Sequence, residues 1–365
     1  MAVADGQIVV FNSGSSSLKV GVFARGEDND ERVVMMGGAE GIGRPDGAVT
    51  LKDADGKVLV SREHTAETAE QALEVLAAAL REHMDGEPAA VGHRVVHGGP
   101  KLREPVRLSP EVIKELEGAV HFAPLHIPAA VKVIRKAEEL YAGVPEIACF
   151  DTTFHRTMPA RAAHLPIPER YFDAGVMRYG FHGLSCESVM HRLGTEPPRR
   201  VVIAHMGGGS SVTAVQDGRS IDTSMGLSPT GGVPMATRSG DLDPGVLIWL
   251  LRSGVSVDEL ETMVNHDCGM GALAGGETDM RALEASGDAG ARLAVEVFAT
   301  AVRKTVGGYW ALMGGMDLLV FTGGIGEHDA AMRERICAGL DWPVEVMEAQ
   351  EEMVIARHCR KLLEK

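Results

Sequence analysis

The chain has no apolar run approaching the length of a bilayer, no C-x-x-C pair and no cluster of basic residues. Each absence removes a class of protein. Without about 20 consecutive apolar residues there is no candidate membrane-spanning helix. The opening stretch MAVADGQIVVF lacks the basic and apolar regions of an export signal, so the mature chain is expected to start near Met1 and to stay in the cytoplasm. The cysteines, Cys149, Cys186, Cys268, Cys337 and Cys359, are odd in number and have no close spacing. That argues against a disulfide framework or a structural zinc site and fits a reducing compartment. With a formal charge of -15 and its Lys and Arg scattered, the surface disfavours nucleic acid and acidic membranes as partners. The same charge repels any nucleotide at long range, so a nucleotide site would depend on local Arg, Lys, backbone N–H groups and a divalent cation. Neither a G-x-G-x-x-G fingerprint nor a G-x-x-x-x-G-K-[ST] loop occurs.

What is present is an ordinary globular composition, 45% hydrophobic and 24% charged, spread over 365 residues. That length favours two domains, and the composition leaves no room for a long disordered tail. Residues 8–11 are a β-branched run that meets the turn-rich Asn12-Ser13-Gly14-Ser15-Ser16-Ser17, after which residues 18–23 alternate again. The device recurs downstream: residues 200–205, then Met206-Gly207-Gly208-Gly209-Ser210-Ser211, then residues 212–215. Two such hairpins half a chain apart predict a duplicated domain with a cleft between the halves. Helical periodicity runs through 66–83, 110–120, 128–141, 289–313 and 350–363. Short buried strands are expected over 92–99, 148–151 and 318–322, so the class is α/β. The domains are placed at 1–150 and 151–351, with a last helix over about 352–365 returning to the first.

Glycine and serine tips let a backbone approach an anion closely and present several N–H groups to it, which makes each tip a candidate phosphate cradle as well as an ordinary turn. Lys19 adds a cation beside the first. A third cluster, Thr322-Gly323-Gly324-Ile325-Gly326-Glu327, follows an apolar strand and reads as a nucleotide-contacting turn or as a close helix–sheet contact. Arg94, in Gly92-His93-Arg94-Val95-Val96-His97-Gly98-Gly99, is a charge inside an apolar run, and Arg238 lies in a loop dense with turn formers. Arginines so placed suit the transfer of a phosphoryl group between two anions. His126 and His182 stand among apolar neighbours, where a core role and a functional role are equally open. Asp151 ends a buried strand, where α/β proteins present catalytic carboxylates, and Glu351 heads the last helix.

Taken together, FNSGSSSLKVGVF, GHRVVHGG, APLHIP, FDTTFH, YGFHG, HMGGGSS, DTSMGLSP, TRSGDLDPG, FTGGIGE and EEMVIA resemble the acetate kinase family, in order and over nearly the whole chain. The resemblance implies a duplicated ribonuclease H-like fold of the actin-like superfamily, ATP or ADP in the interdomain cleft, Mg²⁺ (or Mn²⁺ in its place), a short-chain carboxylate as substrate, and a homodimer. Carried over residue by residue, it implies that Asn12, Ser15, Ser17 and Lys19 face phosphate from the first hairpin. His205, Gly207, Gly208, Gly209 and Ser210 would do so from the second. Asp279, Met280 and Arg281 would enclose the adenosine with Gly323, Gly324, Ile325 and Gly326. Arg94 and Arg238 would align carboxylate and γ-phosphate, His182 would bond the equatorial oxygens, and Asp151 would orient the nucleophile side. Glu351, Asp151 and Asn12 would organise the metal through water. Val96, Leu125, Phe181 and Pro229 would wall a pocket for the substrate methyl group.

The chain departs from the family pattern at Gly208, Ile127 and His328, where Asn is usual; the first removes a possible amide donor to ATP. Acetate is the leading substrate. A propionate or butyrate kinase is the alternative, because one or two methylenes change pocket binding by only about 1–3 kcal/mol. A non-catalytic ATP-binding switch on the same fold is the remaining reading.

Overall fold

The computed structural model describes residues 6–14, 16–27, 30–124 and 126–365. The chain forms two compact units, one running to Thr153 and taking in Gln350–Lys365, the other spanning Phe154–Ala349.

The first unit is built on a sheet of eight strands: β1 (Ile8–Ser13), β2 (Ser17–Arg25), β3 (Glu31–Glu40), β4 (Gly47–Asp53), β5 (Val58–His64), β6 (Ala90–Val95), β7 (Val106–Arg107) and β8 (Glu146–Phe150). Their order is β5-β4-β3-β2-β1-β6-β8-β7, with β1 to β5 antiparallel in sequence and β1, β6 and β8 parallel to one another. The central strands are fully buried, as the near-continuous apolar runs of β1 and β8 require. One face is covered by the helices Ala69–Arg81 and Ile127–Leu140. In the former Leu73, Leu76, Ala77 and Leu80 point inward at helical spacing, and each buried leucine contributes about 1.5–3 kcal/mol. Thr68 starts that helix by accepting from the Gln71 N–H.

The helix Glu351–Leu363 packs on β6 and β1. Gly92 permits this, since a Cβ there would lie 2.6 Å from Ile355 Cγ2 and 2.8 Å from Cys359 Sγ. Ion pairs Arg357–Asp30, Arg360–Glu31 and Arg25–Glu364 fasten the same helix to β2 and the start of β3.

The second unit has five strands: β9 (Arg200–Met206), β10 (Ser210–Gln216), β11 (Arg219–Thr223), β12 (Leu318–Thr322) and β13 (Val344–Val346). Their order is β11-β10-β9-β12-β13, antiparallel from β9 to β11 and parallel from β9 through β12 to β13. The β3-β2-β1-β6-β8 portion of the first sheet has the same order and directions, so the two hairpins legible in the sequence head two copies of one ribonuclease H-like plan. The long helix Ala289–Leu312 covers one face through Phe298, Val302 and Val306.

Two expectations shift, and one stretch holds structure that the motifs do not mark. Asp151 and Glu351, assigned to the second domain, fold with the first: the Asp151 N–H donates to Val95 O at 3.1 Å and its carboxylate takes Arg94, while Glu351 opens a helix seated on the first sheet. The strand expected over 92–99 stops at Val95, because Gly99 takes a left-handed turn with φ 67° and its N–H bonds back to His97 Nδ1 at 2.8 Å. Residues 25–64 hold three strands, β3 to β5, that the family motifs leave unmarked.

Candidate active site

In the first unit, the neighbouring parallel strands β1, β6 and β8 end side by side, and each delivers one polar residue at or just past its carboxyl end: Asn12, Arg94 and Asp151. Open α/β sheets place their functional groups at this edge. Arg94 Nε donates to both Asp151 oxygens at 3.0 and 3.2 Å, and Nη2 donates to Oδ2 at 2.6 Å. Its Nη1 donates to Asn12 Oδ1 at 3.0 Å and lies 3.8 Å from Glu351. The Asn12 amide Nδ2 in turn donates to Glu352 Oε1 at 2.7 Å and to Glu351 Oε2 at 3.2 Å.

Asp151 is 1% exposed and Arg94 18%. Burial works against the charge on Arg94, but the negative charges of Asp151 and Glu351 and the bonds to Asp151 outweigh it, so the guanidinium is held protonated more firmly than usual. Burial pushes the Asp151 carboxyl upward, Arg94 opposes that, and the charge of Glu351 adds to it. Glu352 does not stand out in the sequence beside Glu351; the signal for it is a second acidic residue, buried at 6% exposure, at the head of a helix.

On the first hairpin Lys19 is exposed and stands opposite Asn12 in register. Ser17 is half-buried, and its carbonyl accepts from the Gly14 N–H at 2.8 Å. Ser15 and Leu125 lie outside the described residues. Val96 follows β6 and is half-buried.

The second unit repeats the arrangement at the ends of β9 and β12, where His205 pairs with Thr322. The rings of His182 and His205 stack with centroids 4.2 Å apart and planes 20° apart. His182 Nδ1 lies 3.0 Å from Ser211 Oγ, and His205 Nδ1 lies 2.8 Å from Ser185 Oγ. A Cβ at Gly209 would sit 3.2 Å from His182 Nε2 and 3.5 Å from Arg238 Nη1, so the glycine tip, His182 and Arg238 converge on one spot. Arg238 Nη1 donates to the carbonyl of the buried Pro229 at 3.1 Å. A Cβ at Gly207 would lie 3.8 Å from Gly324 N, which brings the tip beside the turn Gly323 to Gly326.

Not every expected contact residue presents its side chain. Ser210 is buried, with its hydroxyl bonded to both the N–H and the carbonyl of Gly207 at 3.2 Å, and so it shapes the tip from within. The Gly323 N–H donates to Glu327 Oε1 at 2.9 Å, and that carboxylate also takes the Ala349 N–H at 3.0 Å. Gly324 is exposed, Ile325 half-buried and Gly326 buried. Asp279 caps the helix Met280–Ala285 by accepting from the Arg281 and Ala282 N–H groups. The Arg281 side-chain bond holds the Asp279 carboxyl down to about 2. Arg281 is 90% exposed, and Met280 is buried in the core of its unit. Phe181 is fully buried.

Among the described residues no group of three or more His, Cys, Asp or Glu could hold a metal ion. Both Asp151 oxygens lie on Arg94 and Asn12 Oδ1 accepts from the same guanidinium; of the carboxylates here Glu351, 12% exposed, is the most accessible to a cation. So sparse a set suits Mg²⁺, which keeps most of its water and shares itself with phosphate oxygens.

The match to known proteins extends over nearly the whole chain. Residues 7–360 match the model of the acetokinase family. The acetate kinase of Nitrobacter hamburgensis is 40% identical over 390 aligned residues, covering 98% of this chain and 96% of the relative. That of Pseudarthrobacter chlorophenolicus is 43% identical over 338, covering 89% and 84%. Among solved structures, Porphyromonas gingivalis acetate kinase superposes with a TM-score of 0.83 at 33% identity, over 99% of this chain and 100% of that one. A propionate kinase from Francisella tularensis superposes with 0.87 at 32%, over 97% and 98%. A family match that runs almost from end to end, in a doubled fold shared with these structures, means that the chain belongs to the acetokinase family.

Proposed function

We propose that the chain catalyses the reversible transfer of the γ-phosphoryl group of ATP to acetate, forming acetyl phosphate and ADP. A carboxylate oxygen bonds to the γ-phosphorus as the bond to the bridging β,γ-oxygen breaks, and ADP leaves with that electron pair. No covalent enzyme intermediate is needed, so the protein's task is to bring two anions together and to stabilise charge as it spreads over the migrating group. The observation that carries this reading is the convergence of His182 and Arg238 on Gly209, a donor and a cation over a loop with no side chain of its own.

Arg94 has three of its five N–H donors on Asp151 and Asn12, which fixes its plane and leaves a two-point contact for an incoming carboxylate. Asp151 therefore acts through Arg94, as its orienting partner. His182 and Arg238 serve the γ-phosphate. The tip from His205 to Ser210, the first hairpin with Asn12, Ser17 and Lys19, and the turn at Gly323 to Gly326 hold the nucleotide, with Asp279, Met280 and Arg281 beside the adenosine. Glu351 would hold Mg²⁺, which when bound would supply charge neutralisation. Val96, Phe181 and Pro229 limit the acyl pocket.

A hydroxamate assay for acyl phosphate with ATP and acetate, run with and without Mg²⁺, tests this: product is expected only with the metal, and none from any short carboxylate sinks it. Propionate remains a second reading, favoured by the likeness to the Francisella structure; kcat/KM values for acetate, propionate and butyrate side by side decide it.

The working form proposed is a cytoplasmic homodimer. None of the cysteines is in a disulfide, in keeping with a reducing compartment. The helix Pro244–Arg252 (PGVLIWLLR) has no buried residue, with Val246, Ile248, Trp249 and Leu251 all exposed. An apolar face of that kind on a chain of this family fits a second copy of the same chain.

A further inference from the structure

His182 is one of two non-glycine residues with positive φ among the described residues, at φ 58° and ψ 25°. A β-carbon makes that conformation costly, and it persists only where the surroundings over-determine it. The turn that carries it is held at four consecutive residues. The Tyr179 and Gly180 N–H groups both donate to Gly226 O, at 3.0 and 3.3 Å. The Phe181 carbonyl meets His155 Nε2 at 2.9 Å. His182 itself meets Ser211, and its carbonyl accepts from the Cys186 N–H as the helix Gly183–Arg192 begins. The hold on Phe181 comes from a side chain in another segment, His155, to which the mechanism gives no role.

His155 is fully buried in the short helical turn Phe154–Thr157. A carbonyl can only accept, so Nε2 carries the proton and donates to Phe181 O, and Nδ1 accepts from the Ser220 hydroxyl on β11 at 3.0 Å. Burial holds the ring neutral, its pKa pushed down to about 4, which keeps that tautomer in place at working pH. Thr157 Oγ1 donates to Ser220 O at 3.0 Å and docks the turn on the same strand. The ring also sets the shape of the loop. Gly180 has φ 74°, and a Cβ there would lie 2.8 Å from the His155 ring and 2.4 Å from Thr223 Cγ2.

We propose that His155 is a positioning residue for catalysis: by fixing the Phe181 carbonyl from the Ser220 anchor, it holds the left-handed turn that presents His182 to the migrating phosphoryl group. The inference rests on the role given to His182 above.

The test is a set of kinetic variants on the full chain, with folding checked by thermal melts. His155→Leu keeps bulk but removes both bonds; kcat is expected to fall about tenfold to a hundredfold, while KM for acetate and ATP moves less than about threefold. His155→Gln keeps an N–H donor at the Nε2 position and should recover most of kcat. In a His182→Ala background, His155→Leu should lower kcat no further, because it acts through the residue already removed. If His155→Leu does not fold, Ser220→Ala carries the same test, with the same kcat-only, non-additive loss expected. Losses that multiply in the double variant, or His155→Gln falling as far as His155→Leu, overturn the positioning role and leave the site intact. His182→Ala with undiminished kcat overturns the reading of the site, and this inference with it.

Discussion

Asp151 grips Arg94 along one edge of the guanidinium, accepting from Nε and from Nη2, so the two residues form one unit. Asp151→Asn keeps the shape but cannot accept at both positions, and Arg94→Lys has no fork to hold. Each is expected to lower kcat by about 10²–10³-fold, the loss found when one aligned donor to a developing charge is removed. Asp151→Asn should also cost about 3 kcal/mol in urea unfolding, since it leaves Arg94 half-buried without its main counter-charge. Steady-state kinetics near wild type would remove Asp151 from the mechanism.

The helix that carries Glu351 and Glu352 depends on a buried pair at its other end. Arg360 donates to Glu31 through Nε at 2.7 Å and Nη2 at 2.9 Å, and Nη1 donates to Gly6 O at 2.8 Å. Glu31→Ala strands that cation and should cost about 3–5 kcal/mol, with kcat falling as the head of the helix loosens against Asn12. Replacing both partners, Glu31→Leu with Arg360→Met, should restore most of the stability, as read by circular dichroism in urea.

His155 sets a pH dependence of folding. Its folded pKa, about 4, lies below its ordinary 6.5, so between these values the unfolded chain binds more protons than the folded one. Its contribution is complete above about 6.5 and is lost as pH falls towards 4, for a total on the order of 3 kcal/mol. The stability gap between wild type and His155→Gln should therefore shrink over that window; a constant gap would contradict it.

Gly208 sits exposed on the second tip, and a Cβ added there would meet nothing within 4 Å, so a side chain starts into open space. Gly208→Asn is expected to lower the ATP KM about three- to tenfold, the worth of one added hydrogen bond, with kcat little changed. Nucleotide titration kinetics read this directly, and an unchanged KM rejects it.

Trp249 is 66% exposed on a helix where Val246, Ile248 and Leu251 are exposed as well. Trp249→Glu should turn a dimeric species into a monomer in analytical ultracentrifugation and leave the fold intact. A wild-type chain that sediments as a monomer at micromolar concentration would refute the dimer.

Much of this is legible in the chain because it is local. Turn-rich tips between β-branched runs mark both hairpins, and helical spacing finds the helices Ala69–Arg81, Pro110–Gly118, Ile127–Leu140, Ala289–Leu312 and Glu351–Leu363 to within a few residues. The order of the motifs is enough to point to the family. Strand β3 escapes notice because its residues alternate weakly, and Gly37 and Gly38 interrupt it where a Cβ would strike the neighbouring strands. Glu352, Glu327 and His155 stand within the family motifs, but their roles escape it because their partners lie elsewhere in the chain. Glu352 meets Asn12 across 340 positions, Glu327 meets the Ala349 N–H across 22, and His155 meets Ser220 across 65.

The sequence by itself determined the two hairpins, the α/β class and the residue types on which the chemistry depends, since these follow from side-chain periodicity and backbone freedom within a few positions. Only the tertiary structure decided which of those residues share a site. Asn12, Arg94, Asp151 and Glu351 meet because β1, β6 and β8 lie side by side in parallel and the last helix returns to them, and His182 meets Arg238 because two loops close on one glycine tip. Such contacts are fixed by strand pairing and helix packing between segments far apart in the chain, which local patterns do not encode.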